Sequence, residues 1–116
     1  MSLSAITSHV LDTSLGRPAP GISLELEKAD EAGGWALLGT DTTDADGRAM
    51  RLLPESAHFE GGVYRLTFHV ASYFDQTRRS TFYPLVQIIF EVLDTAQHYH
   101  VPLLINPYGY TTYRGS

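Results

Sequence analysis

The chain has 116 residues, 43% of them hydrophobic, with a formal net charge of -5 and no cysteine. This length suits one domain, 1–116, built round one apolar core. The negative balance argues against a nucleic acid or an anionic membrane as partner, and the lack of thiols excludes disulfides, thiolate nucleophiles and thiolate metal sites. The opening segment, MSLSAITSHVLD, has neither a basic stretch nor a long apolar run, so it does not read as a signal peptide. No segment approaches the ~18 consecutive apolar residues of a membrane helix, and the last residues are not a peroxisomal address. The expected location is the cytoplasm.

A first strand is expected through 8–12. Ile22, Leu24 and Leu26 then alternate with Ser23, Glu25 and Glu27, the period of a half-buried strand. A second such segment covers 35–43 and runs into Asp44-Ala45-Asp46-Gly47, where Asp tolerates turn geometry and Gly supplies a positive φ. Over 63–70 Tyr64, Leu66, Phe68 and Val70 share one face. The only helix suggested is brief, over 71–78, too short to form a layer. A β-branched and aromatic run covers 86–93. Strands over 98–105 and 110–114 flank the turn Asn106-Pro107-Tyr108-Gly109. Pro102, inside one of them, should mark a sheet edge or a bulge. Short strands at this spacing with almost no helix predict an all-β sandwich. There is no internal repeat, low-complexity segment or linker.

Polar chemistry must come from histidine, carboxylate, arginine, serine and tyrosine. His9 lies in an apolar strand among Ile6, Val10 and Leu11, where a lone histidine is more often a hydrogen-bonded structural residue than a catalyst. Ser8, His9 and Asp12 form no local triad, and no G-x-S-x-G elbow is present. His98 and His100, two apart on a strand, share a face while Tyr99 takes the other. Two imidazoles there could activate water or sit on a strand as ordinary side chains. A zinc site normally needs a third protein ligand, which no motif supplies. Arg48 follows the Asp44–Gly47 turn and reads alone as a solvated cation. The sequence D-x-D-G lacks the remaining ligands of a calcium loop. Arg78, Arg79 and Lys28 read as solvated surface. The ending, Tyr113-Arg114-Gly115-Ser116, follows an aromatic strand-like run and reads as a docked segment rather than a frayed one.

Taken together, these segments resemble the 5-hydroxyisourate hydrolase family, the transthyretin-like enzymes of urate breakdown. SHVLDTSLGRPAPGI over 8–22 is similar to the family's opening signature, TDADGR over 43–48 to its second, and HYHVPLLINPYGYTTYRGS over 98–116 to its closing one. The YRGS ending separates these hydrolases from the hormone-carrying transthyretins. Thr111 stands where serine is common, and 50–62 has no clear match. The resemblance implies a transthyretin-like β-sandwich of two antiparallel sheets with one short helix. It implies His9, Arg48, His100 and Ser116 as the catalytic set. His9, Arg48 and Tyr113 are the implied substrate contacts, with His98 beside the site. It implies no metal or organic cofactor, and a homotetramer, a dimer of dimers, with active sites at the dimer–dimer face. The implied reaction is ring-opening hydrolysis of 5-hydroxyisourate, with a histidine base and arginine as electrostatic partner. Since one fold hosts several functions, a transthyretin-like small-ligand carrier is the alternative. A purely structural sandwich would leave the histidines, Arg48 and the ending unexplained as a set.

Overall fold

The computed structural model describes residues 4–116; the first three residues of the segment read as lacking a leader lie outside the described residues. In chain order the elements are β1 (Ile6–Asp12), β2 (Arg17–Pro18), β3 (Ser23–Ala29), β4 (Trp35–Thr42), β5 (Arg48–Ala49), β6 (Gly62–His69), α1 (Ala71–Gln76), β7 (Val86–Val92), β8 (Tyr99–Asn106) and β9 (Gly109–Thr112). One sheet has the order β2-β1-β8-β9, with β5 also pairing with β1; the other has the order β4-β3-β6-β7. Alternation decides which side chains face inward. Leu24 and Leu26 of β3, with Tyr64, Leu66 and Phe68 of β6, are fully buried against Ile6 and Val10 of β1 and Val101, Leu103 and Ile105 of β8. Side chains of this size each contribute about 1.5–3 kcal/mol when fully buried. Among the described residues, no helix is long and apolar enough to cross a membrane.

The expected all-β sandwich with one short helix is observed, with a correction to strand direction. The β4-β3-β6-β7 sheet is antiparallel throughout. In the other sheet β1 and β8 run parallel, in unbroken register from Ile6 opposite Tyr99 to Asp12 opposite Ile105. A parallel pair requires a long crossover, and here the chain supplies it by building the whole opposite sheet between the two strands.

Pro102 also departs from expectation. It lies neither on an edge strand nor at a bulge: β8 is interior, between β1 and β9, and its register with β1 passes Pro102 without a shift. Tyr99 N–H donates to Ala5 O and Thr13 N–H to Ile105 O on the β1 side, whereas His100 O accepts from Gly115 N–H on the other. By alternation the donorless nitrogen of Pro102 faces the β9 side. There β9 has already ended at Thr112, whose hydroxyl donates to Pro102 O at 2.8 Å.

Arg79 is not solvated surface. Arg78 adopts φ 58° just beyond α1, and Arg79 N–H returns to Phe74 O at 2.8 Å, a helix stop of the left-handed kind. That turn brings the Arg79 guanidinium to 2.6 Å from the fully buried Asp12 Oδ2. Tyr73 hydroxyl donates to the same oxygen at 2.7 Å, and Ser14 hydroxyl to Oδ1 at 2.6 Å. Burial alone would raise the carboxyl's pKa; the bonds from Arg79, Ser14 and Tyr73 outweigh it and hold Asp12 well below the usual carboxylate range. The Tyr73 phenol is pushed up to about 12, by burial first and then by its bond to Asp12.

Candidate active site

The parallel pairing of β1 with β8 assembles the site. Register sets Thr7 opposite His100 and His9 opposite Pro102. On its other side β1 pairs with β5, which sets Arg48 opposite His9. Ser8 and Val10 point into the core, so Thr7 and His9 occupy the outer face. Arg48 is aimed by the turn before it. Asp44 Oδ1 accepts from the backbone N–H of Asp46 at 2.9 Å and of Arg48 at 3.0 Å. Those bonds, that from Arg48 foremost, lower the Asp44 pKa against the opposing effect of burial. Gly47 closes the turn at φ 76°, where a Cβ would lie 2.4 Å from Val10 O. Arg48 itself is exposed, and among the described residues it has no carboxylate partner.

The imidazoles are held by different partners. His9 Nε2 lies 2.9 Å from Asp46 O. A carbonyl only accepts, so this nitrogen carries the proton and the lone pair of the neutral ring is on Nδ1. His98 and His100 stack with centroids 6.4 Å apart, and both reach the hydroxyl of Thr7. Burial lowers the His100 pKa below the usual imidazole value, and the charges of His98, His9 and Arg48 lower it further. Among the described residues no set of three histidine, cysteine or carboxylate side chains is arranged to hold a metal ion.

The ending is docked on this face. Gly115 forms an isolated bridge with His100, its N–H donating to His100 O at 2.8 Å. A Cβ at Gly115 would lie 2.6 Å from His100 Cδ2 and 3.2 Å from Pro102 Cγ, so only glycine lets the backbone approach the ring this closely. The Arg114 guanidinium stacks 4.5 Å above the Tyr99 ring and donates to Gln97 Oε1 at 2.8 Å. It anchors the segment. Ser116 is exposed beside the bridge, and its hydroxyl is bonded to none of the described residues. Tyr113 lines a groove of about 270 Å³ with Ile89, His100 and Arg114. The structure thus brings His9, Arg48, His98, His100 and the ending to one region of one sheet. Sequence reasoning passed over Thr7. Its only signal was a hydroxyl two residues before His9, hence on the same face, and its place beside His100 depends on strand register.

A two-sheet β-sandwich whose outer face carries imidazoles and a guanidinium, with a docked tail alongside, has the architecture of the transthyretin-like proteins and the functional groups of a hydrolase. The HIUase/Transthyretin family model matches residues 6–115, and the chain belongs to that family. It is 44% identical over 111 residues to a 5-hydroxyisourate hydrolase of Salmonella dublin, covering 96% of this chain and 80% of that protein. The structure of Klebsiella pneumoniae 5-hydroxyisourate hydrolase superposes with a TM-score of 0.81 at 34% identity, over 100% of this chain and 94% of that one. Sea bream transthyretin in complex with thyroxine superposes with a TM-score of 0.90 at 29% identity, over 97% and 95%.

Proposed function

We propose that this chain hydrolyses 5-hydroxyisourate in urate degradation, opening its six-membered ring to 2-oxo-4-hydroxy-4-carboxy-5-ureidoimidazoline. The observation that carries this reading is the gathering of His9, Arg48, His100 and the Gly115 bridge on one sheet face, in a chain 44% identical to a protein of that name. Superposition alone does not choose between hydrolase and carrier, because both kinds of protein share this fold. The polar set favours the hydrolase: a carrier has no need of a neutral imidazole beside a guanidinium.

The chemistry follows from the environments. His100, held neutral by burial foremost and by the charge of Arg48, takes a proton from water as the oxygen attacks a ring amide carbonyl. Arg48 offers a permanently charged fork to the oxyanion that develops. The ring C–N bond breaks, the nitrogen receives the proton back from the imidazolium, and the carbonyl becomes the new carboxyl group. His9 presents Nδ1 as an acceptor for a substrate N–H, because Asp46 O holds the proton on Nε2. Tyr113 positions the ring system, Ser116 hydrogen-bonds substrate or water, and His98 acts from beside the site. We further propose a cytoplasmic homotetramer, a dimer of dimers with the sites at the dimer–dimer face, and a reaction needing no cofactor.

The test is the loss of ultraviolet absorbance of freshly generated 5-hydroxyisourate. A hydrolase accelerates it catalytically, whereas a carrier changes it at most in proportion to bound ligand, which would overturn the reading. Deleting Gly115 and Ser116 should cost most of the turnover. An unchanged rate would remove the ending from the site.

A further inference from the structure

Thr7 lies fully buried opposite His100, with its hydroxyl oxygen 2.8 Å from His100 Nδ1 and 3.1 Å from His98 Nε2. A hydroxyl has one proton to give. If both rings donated to it, that buried proton would have no acceptor, because Thr7 Oγ1 makes no other hydrogen bond to the described residues. So the hydroxyl accepts from one ring and donates to the other, and the two tautomers are locked together through it. In one arrangement His98 Nε2–H donates to Thr7 and Thr7 donates to His100 Nδ1. The His100 proton then sits on Nε2, and the ring has no free lone pair. In the other, His100 Nδ1–H donates to Thr7, Thr7 donates to His98 Nε2, and His100 Nε2 is bare.

We propose that Thr7 is a positioning residue that holds the second arrangement, accepting from His100 and donating to His98, so that His100 Nε2 is the basic nitrogen of the site. The inference rests on the reading of His100 as the base. It also supplies a route for the proton. When Nε2 takes one from water, the Nδ1 proton passes to Thr7 Oγ1 and the hydroxyl proton passes to His98 Nε2. No atom is gained or lost, and each proton moves by one hydrogen bond. His100 ends neutral, Thr7 regains a hydroxyl, and the positive charge resides on His98. That ring is exposed, so water can solvate the charge, whereas half-buried His100 lies within the field of Arg48. The reverse shift returns the proton to the leaving nitrogen.

Two measurements test this on the whole protein. The first is nitrogen-15 NMR of the histidine rings in the wild type at a pH where His100 is neutral. The proposal expects protonated Nδ1 and bare Nε2 on His100. A ring protonated on Nε2 with bare Nδ1 overturns it, whether or not any variant folds. The second is turnover of Thr7→Val and Thr7→Ser. Valine should lower kcat on the order of ten- to a hundredfold with KM little changed, and serine, which keeps the hydroxyl, should restore it. A folded Thr7→Val protein with kcat within about twofold of wild type overturns the proposal. So does equal loss in both variants, which marks packing rather than the hydroxyl. If the wild type fails to open 5-hydroxyisourate, the functional reading falls, while the ring protonation still decides the role of Thr7.

Discussion

At the scale of the residue, the site works by giving like side chains unlike partners. The proton on His9 is pinned by the Asp46 carbonyl and that on His100 is governed by Thr7. The lowered pKa of His100 has a direction that can be checked. A base must be neutral to act, so the acid limb of kcat/KM should fall below the ordinary imidazole value of about 6.5; a limb above it would remove His100 as the base. The same shift fixes a sign for stability. The unfolded chain protonates first as pH falls, so the contribution of His100 is complete above about 6.5 and is lost as pH drops toward its folded value. Gly115→Ala should push the tail off the imidazole, since Thr7 and His98 leave the ring little room to retreat. We expect a large fall in turnover with little change in melting temperature; wild-type kinetics would show the close approach to be idle. The shared face of His98 and His100 could be read from residue type and spacing, whereas His9 and Arg48 stood out only through the resemblance to the hydrolase family. Thr7 could not, because a threonine in a strand has no distinguishing pattern until its neighbour across the sheet is known.

At the scale of the element, register decides what the site contains. Parallel β1 and β8 bring together residues more than ninety positions apart, and two-residue β5 places Arg48 against His9. The alternation in β3 and β6 was legible because each has one face on the core. The pairs β2 and β5 were not, being shorter than one period of any pattern. Pro102 misled because a missing donor usually needs an edge; here it meets a gap where the neighbouring strand has stopped. Arg79 misled because its burial depends on the chain reversal at Arg78. Arg79→Ala would strand the Asp12 carboxylate in the core, at a cost of about 3 kcal/mol by denaturant titration. A loss under about 0.5 kcal/mol, the usual scale of surface substitutions, would return it to the surface category. Because Asp12 titrates well below the unfolded value of about 3.9, its stabilisation is complete above that pH and declines as pH falls further.

At the scale of the whole molecule, the two sheets end on β4 and β7 in one and on β2 and β9 in the other. Around β7 and the tail lie exposed apolar side chains: Ile89 at 61%, Leu93 at 82% and Tyr113 at 56%. Open edges with such side chains are liabilities that closed symmetric assemblies remove, which supports the proposed tetramer. Light scattering should give four times the chain mass, and Ile89→Glu should reduce it; a wild-type monomer would contradict the proposal. The central claim is that the outer-face set catalyses ring opening, and its most direct test is kcat/KM on fresh 5-hydroxyisourate for wild type, Arg48→Ala and His100→Ala. The account predicts rapid clearance by the wild type and a loss on the order of a hundredfold or more in each variant, with the fold intact. Either variant clearing substrate at the wild-type rate would contradict it.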